Sequence, residues 1–462
     1  MMPIIRTYFL IQMMLFVGVT TGFLFDDNSC TTGNNCTCNN EIISCYSKGL
    51  IDVPLFNITG TYISIRTLDF GYNAINTLRN GRFSFLRNLT TTSMEVNFNS
   101  NNLSSMEDMC FEELKTAIVY LRLGYNNLKT IPMAISSLTN LRTLDLGFNP
   151  IIQFDPSVLF SIGDTLEKLV LSLTKVNRWP EELHFLYNLQ DLEINHFSAK
   201  TITASDFQYM TQIKSLNTLV IQNTDLKEFP AAFCDLSSVQ TLNLDYNNFT
   251  GRGNDMFSTC HRPLSNISTL SLHTNQLEYF PDLGTAFSAT KSLNLQNNNI
   301  RYISNELTAM PFLENLYLDN NKLCHIPSTL ASIAPNLRYL YLTNNFIDEI
   351  DNQALGALSN LWYLYLLGNP LEYVAEHAFS HNPALTFIIV VSTKLSTIPC
   401  ALSITSHQQI YYYPDRIECD CRMKCLKNIT LSNLKLNGQS CLQTNITIEH
   451  FINNVIKADK CG

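Results

Sequence analysis

The chain has 462 residues, a formal charge of −9 at pH 7 and 15% charged residues. Nucleic-acid binding needs a basic stripe to neutralise phosphates, and the sequence carries none, so that class is excluded. Length alone allows two to four domains, and the acidity is too mild to suggest disorder.

Residues 1–22 place Arg6 ahead of an apolar run that ends in small residues near Thr20 to Gly22, the pattern of a secretory signal peptide. The competing reading, an uncleaved N-terminal anchor, needs a longer apolar core. Nothing later in the chain is apolar for long enough to span a bilayer, and the end, FINNVIKADKCG, is too polar for the tail of a lipid-anchor signal. A secreted chain without a membrane span is therefore expected. Such a chain carries glycans at N-x-S/T sequons, here Asn57, Asn88, Asn102, Asn248, Asn266, Asn428 and Asn445. An eighth sequon at Asn35 is weaker, because Cys36 inside it is expected to be bonded.

Residues 23–64 hold a first cysteine cluster, Cys30, Cys36, Cys38 and Cys45, followed by SKGLIDVP. From Ile65 to about residue 410 the frame LxxLxLxxNxL recurs about fourteen times, at steps of 23 to 28 residues. Its fourth position runs Leu68, Val96, Leu121, Leu144, Leu169 and onward to Leu364 and Ile388, with another apolar residue two further on. That alternation is the period of a strand with one buried face. The ninth position is Asn in ten repeats, Thr at Thr174, Thr224 and Thr393, and Phe197 once. An Asn amide donates and accepts at once, so stacked asparagines can satisfy the backbone groups of neighbouring turns. Phe197, with Ala199 where Leu is expected, marks a defective repeat at residues 189–215, where a local kink or change of curvature is plausible.

Several turns carry an apolar residue and Pro just after the frame: Ile131-Pro132, Trp179-Pro180, Phe229-Pro230, Phe280-Pro281, Ile326-Pro327 and Ile398-Pro399. Proline cannot join a ladder, so each turns the chain away from the strand. The return side is predicted to be irregular, with 3-10 pieces and occasional helical turns such as the one around MAISSLTN. The longest spacing holds the insertion TGRGNDMFSTCHRP, expected as an ordered bulge between Cys234 and Cys260, which are placed to bridge neighbouring turns. Residues 411–462 hold a second cluster, Cys419, Cys421, Cys425, Cys441 and Cys461, with Cys400 just before it. Cys110 and Cys324 are left over and read as buried free thiols.

The repeats and the terminal cysteine clusters resemble extracellular leucine-rich-repeat proteins with disulfide-bonded N- and C-terminal caps, over roughly residues 30–462. The resemblance implies an α/β repeat solenoid, a horseshoe with a parallel β-sheet on its concave face and an irregular, 3-10 or short helical convex side. It implies bonds Cys30–Cys38 and Cys36–Cys45, whereas spacing alone leaves three connectivities open. The C-terminal cluster starts CxC as such caps do, but Cys425 is an addition to the pattern, with Cys400 its candidate partner. A CxCxxxC stretch can also bind zinc, a reading disfavoured behind a secretion signal.

Fourteen stacked strands span an inner arc of about 65 Å, suited to a protein or an extended glycan rather than a small molecule. Through the first two thirds, the outward positions are mixed and polar: Arg122, Arg142, Asp145, Glu167, Lys168, Asp191, Glu193, Asn243, Asp245 and Asn294. The acidic run Glu167, Asp191 and Glu193 reads chiefly as a solvated face. Toward the C-terminal end the fifth position becomes Tyr317, Tyr341 and Tyr365, and Tyr339, Trp362, Tyr363 and Phe387 stand beside it. At a repeat of about 24 residues these side chains should stack into one patch, the composition of a protein-interface hot spot. The alternative is a ladder of rings that stiffens the sheet.

No HExxH, GxSxG, P-loop or dinucleotide fingerprint occurs, and no cofactor or metal is called for. His273 faces the concave side without a carboxylate or Cys in its own turn. The expected function is a non-enzymatic, secreted binding protein that recognises an extracellular protein or glycan in matrix adhesion, signalling or innate immune recognition. Alternatives are a non-catalytic stabilising subunit of a secreted enzyme and the soluble ectodomain of a Toll-like receptor.

Overall fold

The structure is a computed structural model. It describes residues 30–461 except 32–35, 40, 59–63, 177, 198–201, 203–207, 251–259, 261, 357, 392, 404–408, 414–416, 437 and 445. The signal segment, Asn35, Asn445, Ala199 and most of the insertion after Thr250 lie outside the described residues.

Each frame yields one short strand, and the strands stack in parallel with fourth positions side by side. Leu68 lies opposite Val96, Val96 opposite Leu121, Leu121 opposite Leu144, and the row continues through Leu316, Leu340 and Leu364 to Ile388. These residues are fully buried, as are the sixth-position residues Phe70, Phe98, Leu123 and Leu171. Alternation of buried and outward side chains along every strand therefore produces one continuous core behind the sheet.

The sheet is longer than the frame indicates. It starts one turn earlier, at Ile42–Ser44, which pairs with Thr67–Asp69 and, antiparallel, with Thr37–Cys38. It runs on through Gln409–Tyr413, paired with Phe387–Val391, to Leu434–Lys435. The pairings form an open ladder of about 75 Å at a strand spacing of about 4.8 Å. The register continues residue for residue across Asp191–Asn195 in the defective repeat. Phe197 is buried, edge-on to Trp179 at 5.7 Å, so an apolar contact stands where the amide would be. Among the described residues, the register of the sheet is irregular at Met94/Glu95.

The ninth-position asparagines link successive turns. Asn126 donates through Nδ2 to the carbonyls of Phe98 (2.9 Å) and Leu123 (3.0 Å), while its Oδ1 accepts from the Leu103 N–H (2.9 Å). Asn298 and Asn321 repeat the pattern. Among the described residues, in twelve turns the residue just before this position has a positive φ, from Tyr72 (56°) and Tyr125 (55°) to Asn344 (54°) and Gly368 (71°). The left-handed residue turns the chain out of the strand.

On the convex side Pro132, Pro180 and Pro230 each precede a 3-10 helix, at Met133–Ser137, Glu181–Phe185 and Ala231–Asp235. The turn around MAISSLTN is thus 3-10. A longer α-helix, Pro156–Ile162, is capped by the Asp155 carboxylate and has Pro at its start. In the N-terminal cap Cys36 bonds Cys45, and Cys38 is also disulfide-bonded. Cys234–Cys260 bridges neighbouring turns. At the other end the pairs are Cys400–Cys425, Cys419–Cys441 and Cys421–Cys461. Cys110 is buried, but Cys324 is exposed, contrary to expectation: it follows the buried Leu323 where the chain has left the sheet.

Candidate functional site

The third, fifth and seventh frame positions point out of the concave sheet because the fourth and sixth point in. At the C-terminal end this places Tyr317, Tyr341 and Tyr365 in one row, with consecutive ring centroids 4.6 Å apart and planes within 17° of parallel. The third-position row beside it holds Tyr339, Tyr363 and Phe387, at 5.5 Å and 4.2 Å. Tyr363 and Tyr365 lie 5.6 Å apart and join the two rows. Trp362 is at a second position, hence on the rim, where it stands edge-on to Tyr339 and Phe387. All seven residues are half-buried. The rings thus cover one another's edges and still present faces to solvent, so ladder and open surface coexist.

The surface is larger than those seven residues. In-register pairing sets Ile389 beside Tyr365 and Tyr411 beside Ile389, while Val391 neighbours Tyr413 and Leu367 is exposed. From Asn315–Tyr317 to Gln409–Tyr413 the apolar face measures about 20 Å across the strands and about 14 Å along them. The resulting area, about 300 Å², matches the largest apolar patches of ordinary monomers, which are often functional. Asp319 is the charged seventh-position residue at its margin; it is buried and holds Gln296 and the Thr343 N–H. Desolvation is the main cause that pushes the Tyr317, Tyr341 and Tyr363 hydroxyls above the usual tyrosine range, with Asp319 adding to the effect at Tyr317. They therefore remain neutral hydrogen-bonding groups at physiological pH.

The N-terminal half of the concave face is charged and largely satisfied within itself. Arg122 pairs with Glu95 at 2.8 Å, and Arg142 pairs with Glu167. Glu193 accepts from Asn195 at 3.0 Å, and Asp145 accepts the Gly147 N–H at 2.9 Å. Burial pushes the Asp145 carboxyl up. Asp191 lies opposite Lys168 in the parallel register.

His273 has a carboxylate in the preceding turn, Asp245, but the arrangement differs from a nucleophile–base–acid chain. Asp245 accepts the Ser271 hydroxyl (2.5 Å) and the His273 backbone N–H (2.8 Å), whereas the imidazole meets Thr274 Oγ1 and Asn297 Nδ2. Activation needs the ring between hydroxyl and carboxylate. The cysteines of the C-terminal CxCxxxC stretch are all in disulfides, so they offer no thiolate to a metal.

Among the sequon asparagines, Asn88, Asn102, Asn266 and Asn428 are exposed and Asn248 is half-buried; the Asn57 side chain is outside the described residues. Among the described residues no helix is long and apolar enough to cross a membrane.

Two leucine-rich-repeat family models match the chain, over residues 92–151 and 265–379. A probable serine/threonine-protein kinase, pats1 of Dictyostelium discoideum, is 30% identical over 33% of this chain, a match confined to 5% of that protein. Lumican of Gallus gallus is 26% identical over 29% of this chain and 39% of its own length. The transforming growth factor beta activator LRRC33 of Danio rerio is 26% identical over 47% of this chain and 30% of its own length. The chain thus spans well under two thirds of each of these relatives. Among solved structures, a leucine-rich-repeat protein of Leptospira interrogans superposes with a TM-score of 0.51 at 23% identity, over 74% of this chain and 94% of that one. Toll, in the Toll–Spatzle complex of Drosophila, gives 0.55 at 18% identity, over 83% and 53%. These likenesses concern the fold.

Proposed function

We propose that this leucine-rich-repeat protein, with disulfide-bonded caps at both ends, is an extracellular binding module that recognises another protein through the C-terminal part of its concave face. The observation that carries the reading is the charge-free sheet surface around Tyr317, Tyr341, Tyr363 and Tyr365, stacked yet open to solvent. Stacked rings are rigid, so binding them costs little side-chain entropy, and each combines apolar area with a hydroxyl. The sequon pattern supports the same face: none begins between Asn266 and Asn428. Lumican and LRRC33 support a binding role rather than catalysis, and the disulfides support an oxidising compartment.

The test uses the full chain made through a eukaryotic secretory pathway, beside a variant with Tyr317, Tyr341 and Tyr365 all replaced by Ala. The parent is expected to be secreted, glycosylated and to capture a defined protein from extracellular fluid. The variant, with an unchanged circular dichroism spectrum, should lose at least about tenfold in affinity for it, since hot-spot truncations cost about 2 kcal/mol or more. Equal capture by both proteins would remove the site from this face.

A further inference from the structure

Among the described residues, two grooves between successive turns stand out on the rim at the N-terminal ends of the strands. One, of about 340 Å³, lies among the N-terminal repeats and includes Arg142, Glu167 and Asp164. Its charges are already committed: Arg142 pairs with Glu167, and Asp164 accepts the Tyr187 hydroxyl at 2.6 Å. The other, of about 530 Å³, borders the aromatic face and is lined by Phe312, Glu314, Asn336, Arg338, Asn360 and Trp362, among others. Its chemistry is different. The guanidinium of Arg338 lies 3.9 Å from Glu314, too far for a hydrogen bond, and its side chain is 52% exposed. Among the described residues it donates no hydrogen bond to the protein.

The second-position row in these turns reads Lys291, Glu314, Arg338 and Trp362, held side by side by backbone bonds from each residue to the one before. Glu314 stands between two cations, so this stretch of rim is net positive in a chain of net charge −9. Asn336 is anchored by its own bond to the Pro311 carbonyl (2.7 Å), and Asn360 donates to Asn336 (3.1 Å). The exposed Phe312 and the half-buried Trp362 supply apolar walls.

We infer that this groove is a binding site for a carboxylate carried on an apolar body, an acidic side chain or C-terminus of the protein that docks on the aromatic face, with Arg338 as its cationic anchor. A guanidinium with unspent N–H groups beside aromatic walls matches such a group in both charge and shape. The inference rests on the proposed protein-binding role, but the groove can be probed without any partner.

The chain has two tryptophans, Trp179, which is buried, and Trp362, which lines the groove, so indole fluorescence reports on the site. The probes are N-acetyl-L-phenylalanine and its uncharged amide, added to the full chain. The carboxylate should bind saturably and about threefold to fivefold more tightly than the amide, the range for a half-exposed ion pair, and added salt should reduce the difference. Arg338→Gln should abolish the preference, Glu314→Gln should strengthen it, and Tyr341→Ala should leave it unchanged. Equal response to both probes would overturn the assignment. Weaker carboxylate binding in Glu314→Gln would also overturn it, by showing that the groove prefers cations. Probe binding that survives in the parent while protein capture fails would sink the docking role alone.

Discussion

Two side-chain positions carry most of the local physics of this solenoid. The residue before the ninth position adopts a left-handed backbone, which Asn and Gly tolerate and which costs an aromatic residue about 1–3 kcal/mol. The C-terminal turns place Asn297, Asn320, Asn344 and Gly368 there, whereas the earlier turns include Tyr72, Tyr125, Phe148 and Tyr246. Tyr125 and Phe148 recover part of the cost by stacking at 4.2 Å, but Tyr246 is exposed and meets His273 edge-on. Tyr246→Asn is therefore expected to stabilise the protein, by about 0.5–1 kcal/mol after the lost ring contact is subtracted. Urea unfolding measures it; a lower midpoint would mean that the ring packs better than this geometry implies. The ninth position is the opposite case. Asn298→Ala leaves the buried Leu277 N–H without a partner, whereas the Leu272 and Leu295 carbonyls keep bonds from Asn275 and Asn321. At about 1–3 kcal/mol for one orphaned group, the loss should fall in that range, read from the same unfolding curves.

At the scale of elements, the strands legible in the sequence are those whose fourth and sixth positions are both filled by aliphatic residues or Phe. Three strands escape the frame. Ile42–Ser44 leads into Cys45 and Lys48 where Leu and Asn would stand, and Gln409–Tyr413 fills its sixth position with Tyr412, fully buried and bonded to the Thr397 carbonyl. Leu434–Lys435 is too short to show a period. A parallel ladder requires alternation and a backbone, and any side chain of suitable volume can occupy its core side. The tyrosine rows were legible because their spacing fixes lateral neighbours; Leu367, Ile389 and Val391 were not, since outward aliphatic residues read as core. The rim groove was invisible because it forms between second-position residues and the loop residues preceding them. Convex elements follow Pro132, Pro180 and Pro230, and the last return is tied to the cap by Cys400–Cys425. Replacing both of these cysteines by Ala should cost about 3.5 kcal/mol, the loop-entropy value for a separation of 25 residues. Thermal unfolding would register the change, and no shift would mean that the other two cap disulfides suffice.

Over the whole molecule the concave face divides by charge. Strands up to Asp191–Asn195 carry Glu95, Arg122, Asp145, Lys168 and Glu193, while the outward positions from Asn315–Tyr317 to Gln409–Tyr413 are uncharged apart from the caged Asp319. The two ends lie five or more strands apart, at least about 24 Å at the sheet spacing, and so beyond the Debye length of about 8 Å in physiological salt. A partner seated on the aromatic face is thus insulated from the charges of the other half. Its affinity should fall by no more than about fivefold between 50 mM and 500 mM NaCl, with the Arg338 contact as the main source of that fall. A partner seated on the N-terminal half would have to displace or complement ion pairs such as Arg122–Glu95, and its affinity would drop steeply over the same range. Surface plasmon resonance at graded salt distinguishes the two. The association rate adds a second criterion, because a patch with only the Arg338 rim charge beside it offers little electrostatic steering and should associate at about 10⁵–10⁶ M⁻¹s⁻¹ with a weak salt dependence. A strongly salt-dependent association rate would place the partner among the charged strands and leave the tyrosine rows as a stiffening ladder.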